Sequence, residues 1–111
     1  MKSQLGNYTD AIIDYDLLIR LKPDYVEAYN DRGGANVNLG RYSEAISDFN
    51  QIIRFAPNDA ESYAKIGYCL VKTDDKNKLK EAIDLIDKGL KLNPQMQWAK
   101  DIRAEAIKKM R

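Results

Sequence analysis

The chain has 111 residues, of which 44% are hydrophobic and 32% charged, a composition typical of one folded domain rather than a disordered chain. Its 18 lysines and arginines are interleaved with 17 aspartates and glutamates, so no basic stripe predicts a nucleic-acid partner. It has no histidine, the commonest general base and metal ligand, and no apolar run near the roughly 20 residues that span a bilayer. We therefore expect no enzyme, no cofactor, no metal site and no membrane partner.

The sequence repeats itself at a distance of 34 residues. Within residues 5–29, 11 of 25 positions are identical to the position 34 residues further on. A fixed period of this length is typical of a supersecondary unit that buries its apolar face only by stacking on copies of itself. The identical residues of the first copy are Leu5, Gly6, Tyr8, Ala11, Ile12, Asp14, Ile19, Arg20, Pro23, Glu27 and Tyr29.

The first copy, residues 1–24, is predicted to be incomplete. Residues 5–6 align with Leu39-Gly40, where we expect a helix to end, so nearly all of the equivalent helix would precede Met1. We interpret the chain as a fragment of a longer array that begins with the second helix of a hairpin, near residues 9–21. That helix would expose apolar side chains, because the helix that should cover them is missing. We therefore expect homo-oligomers formed through this end. The apolar residues expected there are Ile12, Tyr15 and Ile19.

The second copy, residues 25–59, has apolar residues at helical spacing in two stretches. Gly40 suits the left-handed conformation that ends a helix, which predicts a turn between two helices of about a dozen residues. Pro57 stops the second of them. This copy is therefore a helical hairpin.

The third copy, residues 60–96, repeats the hairpin with a changed spacing. Pro57 and Pro94 are 37 residues apart, so three extra residues lie within the polar stretch 73–78 and predict a longer turn. Residues 97–111 then form an amphipathic helix, which we interpret as a cap on the last apolar face, with a partner-binding helix as the alternative. The apolar stripe of that helix is Trp98, Ala99, Ile102, Ala106 and Met110.

Together these residues resemble the tetratricopeptide repeat. The resemblance rests on Tyr29, Gly33, Leu39-Gly40-x-Tyr42, Ala45-Ile46, Phe49 and Pro57, and again on Tyr63, Gly67, Ala82, Ile86 and Pro94. It implies an all-α fold, a right-handed α-solenoid of antiparallel helix pairs ending in a C-terminal capping helix. It also implies a scaffold or adaptor whose first helices line a concave groove for a peptide or protein segment.

The groove that the resemblance implies has a defined set of lining residues. We expect its asparagines to bind a peptide backbone, its lysines to attract carboxylates and its tyrosine to pack on an apolar side chain, as an acidic or C-terminal peptide would require. Self-association through the N-terminal end is the alternative function. The expected lining residues are Asn30, Asp31, Gly34, Val37, Asn38, Ala64, Lys65, Tyr68, Val71 and Lys72.

The residues argue against two narrower hypotheses. The tetratricopeptide clamp for chaperone tails resembles the chain only at Lys65, since Asp31 and Glu61 stand where it would have an asparagine and a lysine. Cys69 aligns with Ala35, so we expect a small core residue and not a nucleophile. A single cysteine cannot form an internal disulfide, which favours a reducing, cytoplasmic location.

Overall fold

A computed structural model describes residues 4–111, with side chains from Asn7 onward, as six α-helices and one 3₁₀ turn. Each α-helix packs on the next one in sequence, and α4 also contacts α6, so the helices form a solenoid of hairpins. No described helix combines the length and apolar character needed to cross a membrane. The helices are α1 (Gln4–Leu21), α2 (Val26–Asn38), α3 (Tyr42–Phe55), α4 (Ala60–Lys72), α5 (Leu79–Leu92) and α6 (Gln97–Met110), with the 3₁₀ turn at Lys76–Lys78.

The connections between hairpins are built alike. Helices α1, α3 and α5 each end two residues before a proline, which cannot continue the helical hydrogen bonding. The hydroxyl of Tyr29 donates to the carbonyl oxygen of Pro23 at 2.7 Å, and Tyr63 donates to Pro57 at the same distance. The turn inside the second hairpin contains Gly40 with a φ of 75°, the left-handed conformation expected from its position.

Small residues allow the helices of each hairpin to approach closely. A Cβ atom on Gly33 would lie 2.7 Å from Cε1 of Phe49, and one on Gly67 would lie 2.6 Å from Cγ1 of Ile86. Such distances are shorter than carbon atoms tolerate, so only glycine fits at either position. Both glycines therefore bring the two helices of their hairpin close together.

A buried polar cluster joins the first three helices. Arg32 on α2 donates through Nη2 to Asp48 on α3 at 2.6 Å and through Nη1 to Asp16 on α1 at 2.8 Å. The Asp48 carboxylate is almost fully buried, and Asn36 lies 3.5 Å from it. Hydrogen bonding to Asp48 raises the pKa of Arg32 above its ordinary value. The cluster holds α1 and α3 at fixed positions around α2.

Helix α1 differs from the expectation in length and in orientation. It is continuous through residues 5–6, where an earlier helix was expected to end, while Met1 lies outside the described residues. Ile12 and Ile19 are partly buried, so the prediction that they form an exposed surface was wrong. The bond from Arg32 to Asp16 turns that face towards α2. The large apolar side chains that α1 exposes most are Ile13, Leu17 and Leu21, at 62%, 55% and 70%.

The inserted residues form a compact turn. Asp74 has a left-handed φ of 61°, and the Asp75 carboxylate accepts the backbone N–H of Asn77 at 3.0 Å, which begins the 3₁₀ turn. Lys109 of α6 donates to the Asp74 carboxylate at 3.2 Å and to the backbone carbonyl of Val71 at 3.3 Å. The insertion therefore leaves α4 and α5 intact and adds a contact to the end of α6.

Candidate functional site

Helices α2, α4 and α6 border a cavity of about 280 Å³. Its walls include Tyr68 from α4 and Trp98 from α6, and Phe49 of α3 also lines it. Trp98 keeps 39% of its surface exposed, whereas Phe49 is almost fully buried. This arrangement offers an open apolar site with aromatic side chains on two sides. The complete lining is Gly34, Val37, Asn38, Phe49, Lys65, Tyr68 and Trp98.

Lys65 spans the space between α2 and α4. Its Nζ donates to Oδ1 of Asn30 at 3.0 Å and pairs with the Glu61 carboxylate at 3.3 Å. The same ammonium lies 5.6 Å from the centre of the Phe49 ring, within the range of a cation–π contact. Three groups of this chain thus already surround the Lys65 charge.

Lys72 makes the corresponding link between α4 and α6. Its Nζ lies 3.0 and 3.3 Å from the two carboxylate oxygens of Glu105, and 5.5 Å from the centre of the Tyr68 ring. The hydrogen bond raises the pKa of Lys72 and lowers the pKa of Glu105, because each charge favours the other. Neither predicted groove lysine presents an isolated positive charge.

The α2 side of the groove is lined by small and polar residues. Nδ2 of Asn38 donates to the carbonyl oxygen of Gly34 at 3.0 Å, and both residues line the cavity. A Cβ added to Gly34 would meet no atom within 4 Å, in contrast to the neighbouring Gly33. The surface at Gly34 is therefore open because the side chain is absent.

A second cleft, of about 460 Å³, lies between α1 and α2. It contains Asn30, Asp31, Gly34 and Asn38 from the α2 face of the groove. The α1 side contributes Asn7, Tyr8, Ala11 and Tyr15. Tyr15, expected at an exposed surface, is thus half-buried at the edge of an open cleft.

The structure brings most predicted groove residues together but not all of them. Val71 and Ala64 are completely buried, so neither reaches the groove and their inclusion was wrong. Helix α4 packs on α3 and α5 and also contacts α6, so more of its circumference is covered than that of α2. Trp98 was missed as a groove residue, because its place in the apolar stripe of α6 predicted packing against the last hairpin. Trp98 and Ala99 are adjacent and therefore point about 100° apart, so the two side chains cannot both lie at the centre of the stripe. The structure buries Ala99 and leaves Trp98 at the edge.

Cys69 has the environment of a core side chain. It is completely buried in α4, and loss of solvent around the thiolate raises its pKa to about 12. A thiol with this pKa is almost entirely protonated at neutral pH, and the thiolate is the nucleophilic form. The expectation of a small core residue is confirmed.

Solved structures with the same helical arrangement include peptide-binding domains. The first tetratricopeptide domain of Spaghetti (RPAP3), bound to the HSP90 peptide SRMEEVD, is 22% identical with a TM-score of 0.83, covering 93% of this chain and 79% of that one. The second such domain of human RPAP3, in complex with the HSP70 peptide SGPTIEEVD, is 24% identical with a TM-score of 0.81, covering 91% and 82%. MamA from Desulfovibrio magneticus RS-1 is 22% identical with a TM-score of 0.76, covering 95% and 63%.

At these identities the structural likeness establishes the fold alone. No curated protein matches the sequence. A family model described as tetratricopeptide repeat matches residues 3–67, which is more than half of the chain and includes nearly all of the first copy, the whole of the second and the start of the third. The repeated tyrosine and glycine positions agree with the hairpins seen in the structure. The chain belongs to the tetratricopeptide repeat family.

Proposed function

We propose that the chain is a protein-interaction module, a non-catalytic scaffold that holds a segment of another protein in its concave groove. The observation that carries the proposal is the open cavity bordered by Val37, Tyr68 and Trp98. An exposed tryptophan opposite a tyrosine provides a large, stiff contact surface at low entropic cost, as binding hot spots do. An apolar or aromatic side chain of the partner fits this cavity best.

The charges of the groove favour an apolar anchor over an acidic tail. Lys72 is held by Glu105, and Lys65 by Glu61 and Asn30, so a partner carboxylate would compete with contacts already made. Exposed Asp31 adds a negative charge on α2. These contacts argue against the acidic peptide that the two lysines alone would predict, and against the tails bound by the RPAP3 domains.

The exposed amides on α2 suit recognition of the partner's backbone. Asn30 and Asn38 lie two turns apart on the exposed side of the helix. Oδ1 of Asn30 accepts from Lys65 and Nδ2 of Asn38 donates to Gly34, so the Asn30 amide group offers a donor and the Asn38 amide oxygen an acceptor to a peptide unit. Asp31 accepts backbone N–H groups but offers no donor. We assign these side chains to positioning of the partner and the aromatic cavity to affinity.

A displayed library of random peptides of about 12 residues tests the proposal, since groove-bound segments of this kind have a few anchoring side chains. Selected peptides are expected to share a large apolar residue. Gly34→Leu should abolish their binding, because the new side chain enters the cavity without a clash at its Cβ. Asn50→Leu is the matched control, since Asn50 is exposed on α3 and lines none of the cavities described. Equal loss in both variants would contradict groove binding.

The peptides SRMEEVD and SGPTIEEVD test the charge argument separately. Fluorescence anisotropy should detect binding of either peptide at least about 10-fold weaker than that of the selected apolar peptides, a difference of about 1.4 kcal/mol. If an acidic peptide binds best and Lys72→Ala removes that binding, the groove prefers carboxylates and the apolar assignment is wrong.

A further inference from the structure

The first and last described helices are packed like opposite halves of one hairpin. Shifts of 34 and then 37 residues relate Ala28 to Ser62 and to Ala99, and all three are buried at the same point of α2, α4 and α6. Helix α6 is therefore packed as the first helix of a repeat. Helix α1 aligns with α3 and lies on α2 as the second helix of a repeat lies on the one that follows.

A hairpin of this chain is held together by two neighbouring contacts. In the second copy, Gly33 of α2 receives the ring of Phe49, and Arg32 of α2 binds the carboxylate of Asp48 at 2.6 Å. Arg32 also binds Asp16 on the preceding second helix. Helix α2 thus uses Arg32 to hold two second helices, the preceding one and its own, whereas α4 has Ile66 at the aligned position.

The residues for the same contacts recur on α6 and α1, with no described partner to complete them. Arg103 and Ala104 of α6 align with Arg32 and Gly33, while Asp14 and Tyr15 of α1 align with Asp48 and Phe49. Asp14 and Ala104 are exposed. Tyr15 borders the open cleft beside α2.

Arg103 makes one of the two contacts that Arg32 makes. It binds Asp87 on the preceding second helix, α5, at 2.5 Å, which is the counterpart of the bond from Arg32 to Asp16. Its side chain remains 39% exposed. The carboxylate that would complete the pattern is the equivalent of Asp48, and in this chain that equivalent is Asp14 at the opposite end.

We propose that copies of this chain associate head to tail, with α6 of one copy and α1 of the next forming a composite hairpin. Arg103 of one copy then binds Asp14 of the next, and Tyr15 packs over Ala104. The charges are complementary and the small residue faces the large one. The contact does not use the aromatic cavity and is independent of the proposed function.

The exposed apolar stripe of α1 supports the same arrangement. Ile13 and Leu17 align with Ser47 and Gln51 on α3, and Ser47 lines the cavity that lies beside Ile12 of α1. The position that Ser47 occupies on α3, and Ile13 on α1, therefore faces the second helix of the preceding repeat. In a head-to-tail pair, Ile13 and Leu17 would lie against α5 of the other copy, which removes exposed apolar surface from water.

Two residues limit the strength of the contact. Ala104 carries a Cβ where the other first helices have glycine, so the composite helices approach less closely. Lys100 stands where Tyr29 and Tyr63 bind the preceding turn. We therefore expect reversible association in the range of about 10 µM to 1 mM. Because the two surfaces differ, the association is open-ended and not limited to dimers.

Sedimentation velocity of the 111-residue chain from about 10 µM to 1 mM tests the proposal. The wild-type mass should rise with concentration. Ala104→Arg blocks the α6 surface and Asp14→Arg blocks the α1 surface, so each variant alone should remain monomeric. An equimolar mixture should form a dimer and nothing larger, since each chain keeps one intact surface.

Circular dichroism controls for folding of each variant, and Ile13→Arg provides a second block of α1 if Asp14→Arg loses helix. Wild-type chain that stays monomeric throughout would overturn the proposal. So would self-association that persists in Ala104→Arg and disappears in Asp14→Arg, because it would indicate a symmetric contact between two α1 helices. Failure of the mixture to form a dimer would refute it as well.

Discussion

Two adjacent glycines of α2 should respond in opposite directions to the same change. Alanine is more favourable than glycine inside a helix by about 1 kcal/mol. A methyl group on Gly34 meets no atom within 4 Å, so we expect Gly34→Ala to raise the free energy of unfolding by about 0.5–1 kcal/mol.

At Gly33 the same methyl group meets a fixed obstacle. It would lie 2.7, 2.9 and 3.2 Å from three ring carbons of Phe49, whose side chain is almost fully buried and cannot swing into solvent. Insertion of a methyl group into a packed core costs about 1–3 kcal/mol, which exceeds the gain in helix propensity. Gly33→Ala should therefore lower the free energy of unfolding by up to about 2 kcal/mol.

Urea unfolding followed by circular dichroism measures both variants against the wild type. Phe49→Leu serves as the coupling control, because a smaller side chain should make Gly33→Ala less harmful and leave the effect of Gly34→Ala unchanged. If Gly33→Ala is as stable as Gly34→Ala, the close approach of α2 and α3 does not depend on the absence of a side chain, and the reasoning fails.

Three other predictions concern charges and the thiol. Asp48→Ala should destabilise the fold by about 3 kcal/mol in urea, whereas Asp16→Ala, which removes an exposed partner of the same arginine, should cost less than about 1 kcal/mol; equal costs would contradict the role of burial. Because the pKa of Glu105 is lowered in the folded chain, its pair with Lys72 stabilises above the unfolded value of about 4.3 and is lost as pH falls through the folded pKa. Fluorescence of the single tryptophan should show α6 held more firmly in the wild type than in Glu105→Gln at neutral pH, and this difference should vanish in acid, where neither side chain is charged. The Cys69 thiol should react with a chromogenic disulfide reagent only after denaturation, and rapid reaction of the native chain would argue against a tightly packed α4.

The hairpins were predictable because each boundary depends on a local signal. Gly40 ends α2 through its left-handed backbone, and Pro57 ends the hairpin by removing a hydrogen-bond donor. Gly33 and Gly67 recur at the period of the repeat, so their tight packing followed from the pattern alone. These features need no knowledge of how the helices are rotated.

The groove was predicted less well because it depends on helix rotation and on contacts between distant residues. Val71 lies three residues after Tyr68 and shares its face in a simple helical projection, but α6 approaches α4 there and Val71 is buried. The pair of Lys72 and Glu105 joins residues 33 positions apart, which no local spacing reveals. For α1, the bond between Arg32 and Asp16 decided which of its apolar residues face solvent.

The tyrosine bonds to the turns have a consequence for motion. Tyr29 and Tyr63 each fasten a first helix to the segment that precedes it, which restricts the hinge between successive hairpins. Lys100 occupies that place on α6, and in the part of the chain described here it makes no such bond. The hinge before α6 therefore lacks one restraint that the hinges before α2 and α4 have, and Trp98 lies directly after that hinge. In the proposed groove, α2 would form the more restrained wall and α6 the less restrained one, so a change in the angle of α6 would accommodate partners of different thickness.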